Sequence, residues 1–134
     1  MRHVIGFQDW KAPRVESGEL RQTIRKPRKR PIKVGDTLRL YQGLRTTNCR
    51  FLGEAKCIAM FPISLSTLPC PFVGCDGQDY ALHILNGLPY VADIEDLAKR
   101  DGFTDSHAMC EWFDKKHGLP FAGIVIRWGE LRHG

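Results

Sequence analysis

Two prolines four residues apart, Pro27 and Pro31, interrupt a stretch that also carries seven positive side chains and no acid: Arg21, Arg25, Lys26, Arg28, Lys29, Arg30 and Lys33. Proline withholds a backbone donor and fixes φ, so the stretch can be neither a helix interior nor a central strand. It is expected as an exposed, semi-extended loop, and the fold has to be built from what flanks it.

The charge of the chain is concentrated in that loop. The sequence holds 20 Lys and Arg against 15 Asp and Glu, a formal net charge of +5, and without the seven residues of the loop 13 bases face 15 acids. Local positive charge is what a phosphate-rich partner reads. A solvated arm with no partner is the ordinary alternative for such a run. At 134 residues with 43% hydrophobic and 26% charged residues, the chain has the composition of one globular domain with a single core. No apolar run approaches the roughly 20 residues of a membrane span, and no signal-peptide pattern opens the chain, so a cytoplasmic protein without a membrane partner is expected.

Strands flank the loop. Residues 3–8 read as a short first strand, and Pro13 and Gly18 bracket one or two helical turns after it. The stretch VGDTLRLYQG supplies a turn and then alternates Leu38 and Leu40 with Thr37, Arg39 and Tyr41, the two-residue period of a half-buried strand. Residues 49–61 read as a long strand with a glycine bulge at Gly53, and residues 62–78 as a loop of weak structure. Asn86-Gly87, between YALHIL and LPYVAD, is a two-residue hairpin signal. Two helices follow. Asp93 is placed to cap the first, with Ile94, Leu97 and Ala98 on its apolar side and Gly102 at its end; Thr104 is placed to cap the second. Met109, Trp112 and Phe113 line the buried face of that second helix, and Lys115, Lys116 and His117 suit the negative end of its dipole before Gly118. FAGIVIRW is a final strand. Long strands joined by irregular loops, with the helices grouped late, point to an α+β fold on a small closed barrel. Five cysteines, Cys49, Cys57, Cys70, Cys75 and Cys110, are an odd number and are expected as thiols; the spacing of Cys70 and Cys75 is not that of a zinc knuckle.

The segments SGELRQTIRKPRKRPIKVGDTLRLYQGLRT, CRFLGEAKC, DLAKRDGFTDSHAMCEWF and HGLPFAGIVIRW, in that order, resemble the ASCH (activating-signal-cointegrator homology) domain family. The likeness runs from about Phe7 to Trp128 and is to the short single-domain members common in bacteria and phages. It implies one ASCH-like domain over residues 1–134: a small PUA-like β-barrel with a short N-terminal helix, two later helices packed against it, and a cleft that takes RNA or a modified nucleoside. Some similar members hydrolyse an acetyl-amide on a modified cytidine, and others are described as ribonucleases. Thr23 and Arg25 match the Lys-x-x-Thr-(Ile/Leu)-Arg motif of the hydrolases, and Asp101 in RDGF stands where their acid falls. Leu20 stands where they have lysine. Leucine cannot take a proton from a threonine hydroxyl, and the neighbouring Arg21 does not lose its own. Lys26, His3 and His83 are the bases left to consider.

The functional expectation is an RNA-binding domain, with Arg21, Arg25, Lys26, Arg28, Lys29 and Arg30 on phosphates and Thr23 and Asp101 reading a base or ribose. An amidohydrolase or small ribonuclease using Thr23 and Asp101 is the enzymatic alternative, and an adaptor docking an acidic protein surface is the third. Thr23 also has an ordinary role open to it, a local hydrogen bond, and Asp101 one as a solvent-facing residue near a helix end. Trp10 and Tyr41 are expected first in the core, and otherwise as aromatics beside the basic run that stack a base. No cofactor or metal is called for.

Overall fold

The computed structural model describes residues 1–68, 79–84 and 94–133. In chain order the elements are β1 (Arg2–Phe7), α1 (Ala12–Glu16), β2 (Gln22–Arg25), β3 (Thr37–Gln42), β4 (Arg50–Leu68), β5 (Asp79–Ile84), α2 (Ile94–Arg100), α3 (Ser106–His117) and β6 (Phe121–Trp128). The hydrogen-bonded strand order is β1-β3-β4-β6-β2, with β5 paired to β4. β1 and β3 run parallel, whereas β3–β4 and β4–β5 are antiparallel, so this is an α+β fold on a mixed sheet. The chain divides into two compact units, Met1–Met60 with Val125–Gly134, and Phe61–Ile124.

In the first unit the alternation read from the sequence is realised. His3, Ile5 and Phe7 of β1 and Leu38 and Leu40 of β3 are buried, while Arg2, Val4, Thr37, Arg39 and Tyr41 keep surface in solvent. Leu52, Ala55, Val125, Ile126 and Trp128 are also buried, and the Trp128 ring meets Phe7 edge-on at 5.8 Å between centroids. α1 opens with Pro13 in its first turn. Gly18, at φ 85°, follows it with its N–H on the Val15 carbonyl. The expected bulge is present: Leu40 faces Gly53 but Tyr41 faces Phe51, so Leu52 is the extra residue. Gly53 is required there, because a Cβ would lie 2.5 Å from Leu131 Cγ.

Two expectations for this unit change. β2 was not anticipated: Gln22, Thr23 and Ile24 are all buried, so no alternation marks the strand. The barrel expected from the sequence is not closed by a ladder; the strand order is open, with β1 at one end and β2 at the other. β2 is only four residues long and Pro27 follows it closely, which leaves little backbone to close onto β1. Side chains do the joining instead. Arg25 Nη2 donates to the Gly6 carbonyl and Arg28 Nη2 to the Val4 carbonyl at 2.6 Å.

In the second unit β4 continues to Leu68, so residues 62–68, read as loop, are strand. Pro62 lies just outside the ladder with β5, which begins one residue later at Ile63↔Ile84. Leu97 and Ala98 of α2 and Met109, Cys110 and Phe113 of α3 are buried, whereas Trp112 is only partly so. Phe113 lies 4.9 Å from Trp112 and 4.8 Å from Phe121 between ring centroids. Asp105, not Thr104, caps α3: its φ of −158° is extended and its carboxylate accepts from the Ala108 N–H at 2.8 Å. Gly102 at φ 96° and Gly118 at φ 80° follow the two helices as expected. The Asn86-Gly87 hairpin and the Asp93 cap lie outside the described residues.

Candidate functional site

The basic loop is a held loop. It leaves β2 at Arg25, runs exposed from Lys26 to Pro31, and returns to the core at Ile32, which is 3% exposed. Beyond Ile32 a tight turn is locked from both sides. Asp36 N–H donates to the Lys33 carbonyl at 2.9 Å, and the Asp36 carboxylate accepts from Lys33 N–H at 3.0 Å and lies 2.9 Å from His3 Nε2. Those bonds, the Lys33 N–H first and His3 second, hold the Asp36 carboxyl below its ordinary range. Gly35 N–H and Cys57 N–H then tie the turn to β4 through the Cys57 and Asp36 carbonyls, at 2.8 and 2.9 Å.

The six basic residues named from the sequence divide by role. Arg25 is a clasp: half-buried, its Nε donates to Thr23 Oγ1 at 3.0 Å, its Nη2 to the Gly6 carbonyl, and its guanidinium lies over the Phe7 ring at 5.3 Å. Arg28 is exposed but bound to Val4. Arg21 is exposed, with Nε on the Gly18 carbonyl at 3.2 Å. Lys26, Lys29 and Arg30 are exposed and make no hydrogen bond or ion pair among the described residues. They are the outward charges of the loop.

Thr23 is 2% exposed within β2, and its hydroxyl already accepts from Arg25. Leu20 is 2% exposed, a core residue of the same unit. Asp101 belongs to the second unit, directly after α2, and is 1% exposed, so it is not a solvent-facing residue. Of the bases considered, Lys26 is exposed, His3 is engaged with Asp36, and the His83 side chain lies outside the described residues. Cys70 and Cys75 also lie outside them; Cys49, Cys57 and Cys110 are free thiols. No helix of the described residues is long and apolar enough to cross a membrane.

Sequence reasoning missed two arrangements. One is a buried pair, Arg127 Nε donating to Gln22 Oε1 at 3.0 Å across 105 positions. The other is on the solvent side of β3 and β4. Neither Trp10 nor Tyr41 is in the core: Trp10 is 43% exposed, and Tyr41 is partly exposed beside Phe51, 5.3 Å away between centroids. The alternation through Arg39 and Tyr41 was the available signal. No protein-family model matches the chain, and neither does any curated protein or solved structure.

Proposed function

We propose that the chain is an RNA-binding domain of the ASCH kind, its sheet an incomplete PUA-like barrel, and that Lys26, Lys29 and Arg30 take the phosphates of a single strand. The observation that carries this reading is the state of the loop. Three cations are exposed without partners among the described residues, on a segment fastened by Arg25 at its start, by Arg28 in its middle and by Ile32 and Asp36 at its end. A fastened loop has already lost much of the conformational entropy that a disordered arm would lose on binding. The arginine bridge between β1 and β2 supports the barrel comparison, since it brings the two ends of the strand order side by side. Thr23, buried and bonded to Arg25, serves this reading by positioning the clasp.

The test is a salt titration of binding to a labelled single-stranded RNA, followed by fluorescence anisotropy. Each phosphate contact contributes about 0.7 to the slope of log affinity against log salt. Three contacts give a slope of about 2, or a loss of about twentyfold between 50 and 200 mM salt. Replacing Lys26, Lys29 and Arg30 together by Ala is expected to lower the slope by about that amount. An unchanged slope removes the loop from the interface and the proposal with it.

A further inference from the structure

The solvent side of β1, β3 and β4 carries a cluster that the loop alone does not explain. Arg39 and Tyr41 project from β3 and Phe51 from β4, and all three are partly exposed. The Arg39 guanidinium lies over the Phe51 ring at 4.8 Å, its Nε donates to Tyr41 Oη at 3.3 Å, and the Tyr41 and Phe51 rings are tilted by 57°. Arg39 forms no ion pair among the described residues, although Glu54 is its partner in the ladder. The bulge at Leu52 makes the cluster: it sets Phe51 opposite Tyr41, where an unbroken ladder would set Leu52.

The register places this cluster near the points where the basic loop is fastened. Arg28 and Arg25 hold the carbonyls of Val4 and Gly6, and Val4 and Gly6 are paired with Arg39 and Tyr41 in the parallel ladder. Neighbouring strands are about 4.8 Å apart, so the fastening points of the loop and the Phe51 position are about two strand spacings from each other. A flat guanidinium and two aromatic rings, near the points where a loop with three unpaired cations is fastened, suit one kind of ligand. Bases stack on aromatic and arginine planes whatever their sequence, and the phosphates that join them meet the cations.

We infer that Tyr41, Phe51 and Arg39 form a base-stacking platform, and that a single strand whose phosphates lie on Lys26, Lys29 and Arg30 lays at least one base on it. This inference rests on the RNA-binding reading and adds to it a subsite on the outer face of the sheet, with a preference for single strands over duplexes.

The experiment compares three probes by anisotropy or competition: a labelled oligouridylate, an abasic oligonucleotide of the same length, and polyglutamate. The proteins are the wild type, Phe51→Leu, Tyr41→Leu and the triple loop variant. Stacking lost from one base weakens binding about fivefold or more. The wild type is expected to bind the base-bearing strand at least about fivefold more tightly than the abasic one, which requires no variant to fold. Phe51→Leu and Tyr41→Leu are expected to lose that preference while keeping the salt slope of the wild type. Equal affinity for base-bearing and abasic strands, or full preference retained in both leucine variants, overturns the platform alone. A salt slope untouched in the triple variant overturns the RNA-binding reading and this inference together. Polyglutamate bound as tightly as RNA makes the surface a protein-docking one and overturns both.

Discussion

Arg25 is the residue whose loss should separate structure from binding. Replacing it with Ala removes the Nε bond to Thr23 Oγ1, the Nη2 bond to the Gly6 carbonyl and the guanidinium face on Phe7. A hydrogen bond from a charged donor contributes about 1.5–3 kcal/mol, and a half-exposed cation–π contact adds about 0.5–1 kcal/mol. Because Arg25 is only half-buried, the lower ends apply, giving a loss of about 3.5 kcal/mol for the set. For a chain of this length that corresponds to a fall in Tm of about 10 °C. Arg28→Ala, at an exposed residue with one bond to Val4, is expected to cost less than about 1 kcal/mol. Arg25→Lys should recover no more than about half the loss, since one ammonium cannot present the guanidinium fork to two acceptors. Urea unfolding followed by tryptophan fluorescence measures all three, with Trp128 against Phe7 as a reporter inside the same unit. If Arg25→Ala unfolds at the wild-type midpoint while RNA binding collapses, the clasp carries no stability and Arg25 is a phosphate ligand instead.

Cysteine reactivity should follow burial. Exposed Cys49 is expected to alkylate within minutes at pH 8, while Cys110, whose thiol is pushed up to about 11 by burial and by Glu95, and Cys57, raised chiefly by burial, wait for unfolding; peptide mass mapping of alkylated protein reads this out. Gly53→Ala drives a methyl into Leu131 and should cost about 1–3 kcal/mol, with faster amide exchange at Glu54 and Arg132, whose bridge that segment makes. Gly35→Ala, with nothing within 4 Å of its Cβ but a φ of 96°, carries backbone strain alone and should cost about 1–2 kcal/mol without singling out those two amides.

What the sequence showed of the fold depended on how local the cause was. Leu38 and Leu40 alternate because one face of β3 is core and the other solvent, and that contrast is written in six consecutive residues. The end of α3 was equally local, three basic residues and a glycine. β2 was hidden because its burial has a distant cause: Gln22 is buried against Arg127, so neighbouring residues show no polar–apolar rhythm. The cap of α3 lay between adjacent residues that both suit the role, and backbone geometry chose Asp105. At the candidate site, charge and prolines announced an exposed loop. Which cations face outward was not legible, because that is decided by the carbonyls of Gly6 and Val4, about twenty positions upstream of the arginines that hold them. Phe51 escaped notice for a similar reason, since a bulge changes which face a side chain occupies without changing the sequence around it.

The place of β6 in the strand order has a consequence during synthesis. Phe61–Ile124 is one uninterrupted stretch, whereas the other unit takes its first sixty residues from the beginning of the chain and the rest from Val125 onward. Its sheet needs β6 to join β4 to β2, so until Trp128 has left the ribosome β2 has no neighbour in the strand order. β1, β3 and the first part of β4 have their ladder partners within the first sixty residues, while β2 waits for its neighbour. Contacts that span most of the chain also slow the final search. Nascent chains stalled before Val125 should therefore expose the apolar side of β2, with Ile24, to proteases and chaperones, and release of the last strand should remove that exposure.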